Sequence, residues 1–405
     1  MPFRLALSGL NAASADLNVT ANNIANTATA GFKGSRTEFA ELFSVSSQGV
    51  SSTQSGNGVR VSNVSQQFSQ GNIDFTQNSL DLAVSGQGFF VVSDGGALAY
   101  TRAGAFQVDR DGYVVNSKNQ RLQAYPPTST GGFNTGSMND IQLVTSESAP
   151  NATTNADIVL NLPANATPPT TTPFNPAVPT SYTKATSLTM YDSLGAAHTG
   201  TLYFNKTANA NEWTTQLYVD GAALGTAQTL QYSSTGALTS PANGMVSFPT
   251  YTPATGAAAM NFSFDFSETT QYGNAFNVNS ITQDGYTTGR LIGIDIDSSG
   301  AVQARFTNGR SLPLGQVALA NFANPQGLQQ LGDTNWAETF ASGQALKGQA
   351  GNSGFGIIQS GALEASNVDI TAQLVNMITA QRNFQANAQM ISTADAITQT
   401  IINIR

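Results

Sequence analysis

The sequence predicts a multidomain α+β protein: a terminal α-helical coiled-coil domain made from both chain ends, plus two mainly antiparallel β domains, nested discontinuously. Three observations predict it. Large apolar residues recur every seven positions at both ends, apolar and polar residues alternate in the interior, and a proline-rich stretch separates the first β block from the second.

The 405 residues are 40% hydrophobic but only 10% charged, against about 25% charged in an ordinary soluble domain. Ser, Thr, Asn and Gln supply the missing polarity. A net charge of −8 with no basic run argues against nucleic acid or an anionic membrane surface as a partner, since both demand clustered Lys and Arg. The absence of Cys removes disulfides, thiolate metal sites and cysteine nucleophiles, and the single His198 excludes a multi-histidine metal site, so no cofactor is expected. Leu5-Ala6-Leu7 is broken at once by Ser8-Gly9, which is not a secretory signal, and no apolar run approaches the length of a membrane span.

At the N-terminus Phe3, Leu10, Leu17 and Ile24 form a stripe with smaller residues beside it, Ala6 and Ala13 on one flank and Leu7, Ala21 and Ala28 on the other. At the C-terminus Ile370, Met377, Phe384 and Ile391 repeat the spacing, with Leu374 and Ala388 adjoining and Met390, Ile397 and Ile404 on a neighbouring stripe. Neither helix is expected to stand alone, because single helices are marginal in water and Asn11, Asn18, Thr20, Asn22 and Asn23 weaken the first. Periodicity leaves two partners open, an intramolecular two-helix coil or another copy of the chain.

From residue 59 the period becomes two. Strands are expected at 59–61, 89–92, 105–108 and 113–115, and again at 291–296, 301–306 and 317–320. Six prolines between 163 and 183 mark an extended loop, after which strands resume at 187–191, 201–204, 214–219 and 260–266. The expected divisions are 1–28 with 370–405 (helical), 29–74 with 358–369 (connecting), 75–146 with 284–357 (middle β) and 147–283 (inserted β). Seven acids against two lysines place five of the eight net negative charges in the last of these, which suits a solvated position.

Candidate chemistry is thin. Asp109/Asp111 and Asp295/Asp297 resemble glycosidase or calcium pairs, but Asp followed by Gly between apolar strands is turn chemistry. Gly86-Gln87-Gly88 lacks the third glycine and the following helix of a dinucleotide loop. Asp192, Ser193 and His198 are close in sequence without the context of a catalytic triad, and read as a tight hairpin loop. No residue is expected to be catalytic.

The termini carry a resemblance. Leu7-Ser8-Gly9-Leu10-Asn11-Ala12-Ala13, Ala21-Asn22-Asn23-Ile24-Ala25-Asn26-Thr27 and Gly31-Phe32-Lys33 resemble the N-terminal signature of the bacterial flagellar rod and hook axial proteins. Ser366-Asn367-Val368-Asp369, Met377-Ile378, Gln381-Arg382 and Phe384-Gln385-Ala386-Asn387 resemble its C-terminal partner, and the stretch from Ser187 to Gly195, with His198 and Trp213, resembles the central domain of hook members. The resemblance implies a hollow helical homopolymer serving as a universal joint between rod and filament. It implies an inner tube of terminal helices, with Phe3, Leu7, Leu10, Leu17, Ile24, Ile370, Leu374, Met377, Phe384, Ile391 and Ile397 as assembly contacts, a middle β layer and an outward inserted domain. Implied partners are further copies, a distal rod protein, a hook-filament junction protein, a hook cap and the flagellar export apparatus, at an extracellular location reached without a cleaved signal peptide. A distal rod or other axial protein is the alternative, because Ser44 to Gly58 is a stretch whose length varies between rod and hook members. A secreted β-rich adhesin or glycosidase is a remoter one.

Overall fold

The computed structural model describes residues 2–42, 56–143 and 147–403. Ile404 and most of the Ser44 to Gly58 stretch lie outside them. The chain divides into two compact units, one of residues 1–145, 293–305 and 311–405, the other of 146–292 with 306–310.

In the first unit α1 (Pro2–Ala25) and α2 (Ile370–Asn403) are packed side by side. They run antiparallel: Asn23 Nδ2 donates to Gln373 Oε1 at 3.3 Å, and fourteen residues back along α1, a Cβ on Gly9 would overlap the side chain of Asn387, fourteen residues further along α2. At 24 and 34 residues the helices measure about 36 and about 51 Å. The end of α2, residues 395–403, therefore runs past the start of α1 by about two turns.

Of the two partners the periodicity allowed, the chain itself supplies one. The seam, however, is the stripe of small residues. Ala6, Ala13 and Thr20, seven apart, are buried on α1, and on α2 Ala380 is buried with Gln373, Asn387 and Ala394 partly so at the same spacing. Small side chains let two backbones approach closely, which the large stripe would prevent.

A hairpin of β1 (Ser35–Glu41) and β2 (Val59–Gln66) leans on α1, where Val59 N donates to Ser8 Oγ at 3.3 Å. Sequence periodicity missed β1, whose alternation of burial slips by one at the bulge between Glu38 and Phe39. Beyond it lies a large sheet whose path includes Ala301–Phe306, Ser311–Asn321, Arg121–Tyr125, Phe89–Asp94, Ala97–Thr101, Asn335–Ala337 and Gln329–Gly332. Phe89-Phe90-Val91-Val92 is buried on both faces: Phe90 and Val92 join Leu82, Leu122, Val317 and Leu319, whereas Phe89 and Val91 join Tyr100, Phe322 and Trp336. Such double burial explains why the segment reads as a continuous apolar run.

The second unit holds two five-stranded sheets around one core. The first is an antiparallel meander of Lys184–Tyr191, Ala197–Lys206, Glu212–Val219, Ala222–Tyr232 and Leu238–Ser240. Strand 212–219 buries every second residue, starting with Trp213, so its period of two is a direct record of the sheet face. In the second sheet Asn155–Pro163 is parallel to Met260–Asp265 and Thr270–Tyr272 and antiparallel to Asn277–Gln283. Residues 284–292, expected in the middle domain, belong to this unit, where Asn151 bridges to Tyr286 and Ser148 to Gly289.

Candidate functional site

A polar knot ties the inner ends of both helices to the β body of the first unit. α1 stops after Ala25, where the backbone and side-chain amides of Asn26 both donate to Asn22 O at 3.2 and 2.9 Å. The chain reverses at Gly31, whose φ of +69° and whose contact with the backbone of Ala103 leave no room for a side chain. Lys33 is then fully buried. Its ammonium lies 2.6 Å from Glu364 Oε1 and donates to Ser69 O at 2.8 Å. Arg102 Nη1 lies 3.2 Å from Glu364 Oε2, and Gly71 N donates to Oε1 at 2.9 Å. One buried carboxylate thus serves two buried cations. Burial pushes both Lys33 and Arg102 below their ordinary pKa values, against the opposing pull of Glu364.

Asparagines complete the knot. Asn23 Nδ2 donates to Ser35 O at 2.7 Å and Ser35 N donates back to Asn23 Oδ1 at 2.8 Å, so the side chain pairs with β1 as a strand would. Gly34 N donates to Asn367 Oδ1 at 2.8 Å, while Asn367 Nδ2 donates to Gln67 O at 2.7 Å. Ser366 Oγ accepts from Val368 N, and Asp369 caps α2, accepting from Thr371 N and Ala372 N at 2.7 and 3.0 Å. Asn23, Gly31, Lys33, Ser366, Asn367 and Asp369 therefore fix where each helix leaves the body. Asn22 and Asn26 close the end of α1 and Val368 N donates to Ser366 Oγ, whereas the side chains of Ala21, Ala25, Gln381 and Arg382 are exposed and those of Ile24, Phe32 and Phe384 half-buried without a polar part in it. Sequence reading missed Glu364 and Arg102. A buried lysine demands a carboxylate, but nothing local singles out one 331 positions away.

Along the helices the candidate contacts split in two. Leu10, Leu17, Ile24, Met377, Phe384 and Ile391 are half-buried. Phe3, Leu7, Ile370, Leu374 and Ile397 remain exposed, together with Leu5, Val375, Ile378, Met390 and Ile402. Only Arg382 and Asp395 are charged within α2, so this outward surface is apolar and amide-rich.

The candidate catalytic groups have structural work. Asp109 Oδ1 accepts from Asp111 N and Tyr113 N, both at 2.8 Å, and Asp297 Oδ1 accepts from Ser299 N and Ala301 N at 2.8 and 3.0 Å, closing turns completed by Gly112 and Gly300 at positive φ. Ser193 Oγ accepts from Ala258 N at 2.9 Å and does not meet His198. His198 instead lies between two carboxylates, Nδ1 2.7 Å from Asp220 Oδ2 and Nε2 3.4 Å from Asp192 Oδ2. Burial alone would lower its pKa, but Asp220 and Asp192 outweigh it and raise the value. Among the described residues no cluster of His, Cys, Asp or Glu is arranged to hold a metal ion, and no helix is long and apolar enough to cross a membrane.

Models of flagellar families match four stretches: the flagella basal body rod protein model at residues 3–33, the hook protein FlgE/F/G D1 domain at 83–168, the basal body protein FlaE D2 domain at 161–286 and the rod FlgEFG protein C-terminal model at 359–404. The outer two cover the helix pair and, of its knot, Asn23, Gly31, Lys33, Glu364, Ser366, Asn367 and Asp369, but not Arg102. The chain is 40% identical to the flagellar hook protein FlgE of Salmonella typhimurium over 414 residues and to that of Escherichia coli over 415, in each case across the whole of both chains. It is 34% identical to that of Borreliella burgdorferi over 98% of each. The crystal structure of a Helicobacter pylori hook protein shares its fold, with a TM-score of 0.56 and 13% identity over 72% of this chain and all of that one. With full-length identity at this level, the chain belongs to the flagellar hook protein FlgE family, whose members are structural components of the bacterial flagellum and not enzymes.

Proposed function

We propose that this chain polymerises head-to-tail with copies of itself into the hollow, flexible tube of the hook, a universal joint that carries torque from rod to filament. The terminal segments 1–28 and 370–405 form the inner tube, 29–74 and 358–369 connect it, 75–146 and 293–357 form a middle layer, and 147–292 is the outer domain that tunes curvature. One observation carries this reading: the helix pair buries alanines against itself and leaves Phe3, Leu7, Ile370, Leu374 and Ile378 to water. A heterologous contact that does not close generates a helical tube, and exposed apolar side chains are what such a contact consumes. Along the same axis the chain meets a distal rod protein, a hook-filament junction protein and a hook cap. It leaves the cell through the flagellar export apparatus.

The test is Leu374→Asp. Leu374 is 46% exposed, so the monomer accommodates the charge, whereas the assembled tube buries it. The variant is expected to keep the thermal transitions of both β units and to lose polymerisation. Normal tubes from the variant would remove the helix pair from the interface.

A further inference from the structure

Away from the helices, Phe340 is the most exposed large apolar side chain among the described residues of the first unit, at 105% of its reference area. Its loop is not loose. Thr339 Oγ1 donates to Gly327 O at 2.6 Å and accepts from Ala341 N at 3.1 Å, Thr339 N donates to Ser342 Oγ at 2.9 Å, and Asn324 Nδ2 donates to Ala341 O at 3.0 Å. Ser342 is fully buried, and Glu338 closes the loop by accepting from both Tyr100 Oη and Ala345 N at 3.3 Å. Tyr100, which donates to Glu338, stacks edge-on with Phe322 at 4.8 Å, whereas the Phe340 side chain stays exposed. Ala341 and Leu346, on the same loop and the strand after it, are exposed as well.

We propose that Phe340, with Ala341 and Leu346, is a preformed contact that docks on a second copy of this chain, outside the helical inner tube. The proposal rests on the reading of the chain as a homopolymer, and a second copy is the partner that reading supplies. A rigid loop that presents an aromatic ring loses little conformational freedom on docking, which is the property of an interface anchor. The turn chemistry alone requires only Thr339 and Ser342, and any polar residue would serve between them.

The natural chain has no cysteine, so Phe340→Cys creates a unique thiol. In the monomer a maleimide should label it as fast as the thiol of a separate Ser129→Cys variant at an exposed position, and in purified polymer its rate should fall about tenfold or more. Independently, Phe340→Ser should leave the melting of the monomer unchanged and raise the critical concentration for polymerisation about tenfold. Tubes that form at the unaltered concentration and whose introduced thiol labels freely overturn the docking contact while leaving the homopolymer standing. Protection only in intact flagella, and not in tubes of the pure chain, overturns the second copy as partner. A natural chain that never polymerises overturns the homopolymer and this contact with it.

Discussion

The inserted β unit gathers twenty buried apolar side chains, Trp213, Phe204, Phe262, Phe264 and Phe266 among them, into one core, whereas the helix pair buries alanines, a threonine and an asparagine and leaves its large apolar residues half-buried or exposed. The first region closes upon itself; the second leaves apolar side chains exposed. Hydrophobic stabilisation scales with the apolar area removed from water, so the β unit holds its stability within one chain, while the helix pair leaves much of its apolar area in water. What keeps the helices in place beforehand is chiefly polar and local: the Lys33, Glu364 and Arg102 cluster, the Asn23 and Asn367 pairings, and the Asp369 cap.

Two substitutions of similar cost should break the molecule in different places. Trp213→Ala empties the β core at a fully buried position and should cost that unit about 3 to 5 kcal/mol. Its melting transition should fall while that of the first unit stays. Glu364→Ala leaves Lys33 and Arg102 buried without their carboxylate and should also cost about 3 to 5 kcal/mol, but in the first unit, with loss of ordered helix exit. Calorimetry with both variants separates the cases. A single shared transition that falls in both would mean that the two regions unfold as one.

The sequence made these regions legible to different degrees, for a physical reason. Strand 212–219 faces a core on one side, so its alternation is written in consecutive residues, and the Asp109 and Asp297 turns are complete within five residues. The helices were equally visible as elements, but their partners were not. Seven-residue spacing names every stripe of a helix at once, and the large stripe of Phe3, Leu10 and Leu17 drew the eye from the small stripe of Ala6, Ala13 and Thr20 that packs. Pairings between distant positions, such as Asn23 with Gln373 or Lys33 with Glu364, leave no local trace at all.

A smaller effect tests the small-residue seam. Ala380 is 1% exposed, and Ala380→Leu adds three carbons where α2 meets α1. Overpacking of this kind typically costs about 1 to 3 kcal/mol, and here it should push the helices apart and speed amide exchange in α1, with the β unit untouched. Unaltered exchange in α1 would show that the helices meet elsewhere.

The smallest effect concerns the β unit, and it depends on pH. His198 joins three elements: its own strand, the turn at Asp220, and Asp192 at the end of the preceding strand, while Tyr251 Oη and Thr255 Oγ1 donate to Asp220 and Asp192 at 3.2 and 2.9 Å. Burial raises the pKa of each carboxyl group, but hydrogen bonds win: those from Ala196, Thr255 and His198 hold Asp192 below its ordinary value, and those from His198 and Thr199 do the same for Asp220. A histidine whose folded pKa is raised contributes stability that is complete below its ordinary 6.5 and fades as pH climbs through the raised value. The two aspartates contribute above their ordinary 3.8 and lose that contribution as pH drops through their lowered values. His198→Ala should therefore cost the β unit about 1 to 2 kcal/mol, most of it between those two ordinary values, and progressively less in alkaline solution. Swimming and hook assembly should stay near those of the natural chain, because the cluster lies within a unit that does not depend on neighbours for its core. A deficit in melting that does not change with pH would reduce His198 to a packing residue, and a loss of swimming with normal hooks would give it a role beyond the stability of this unit.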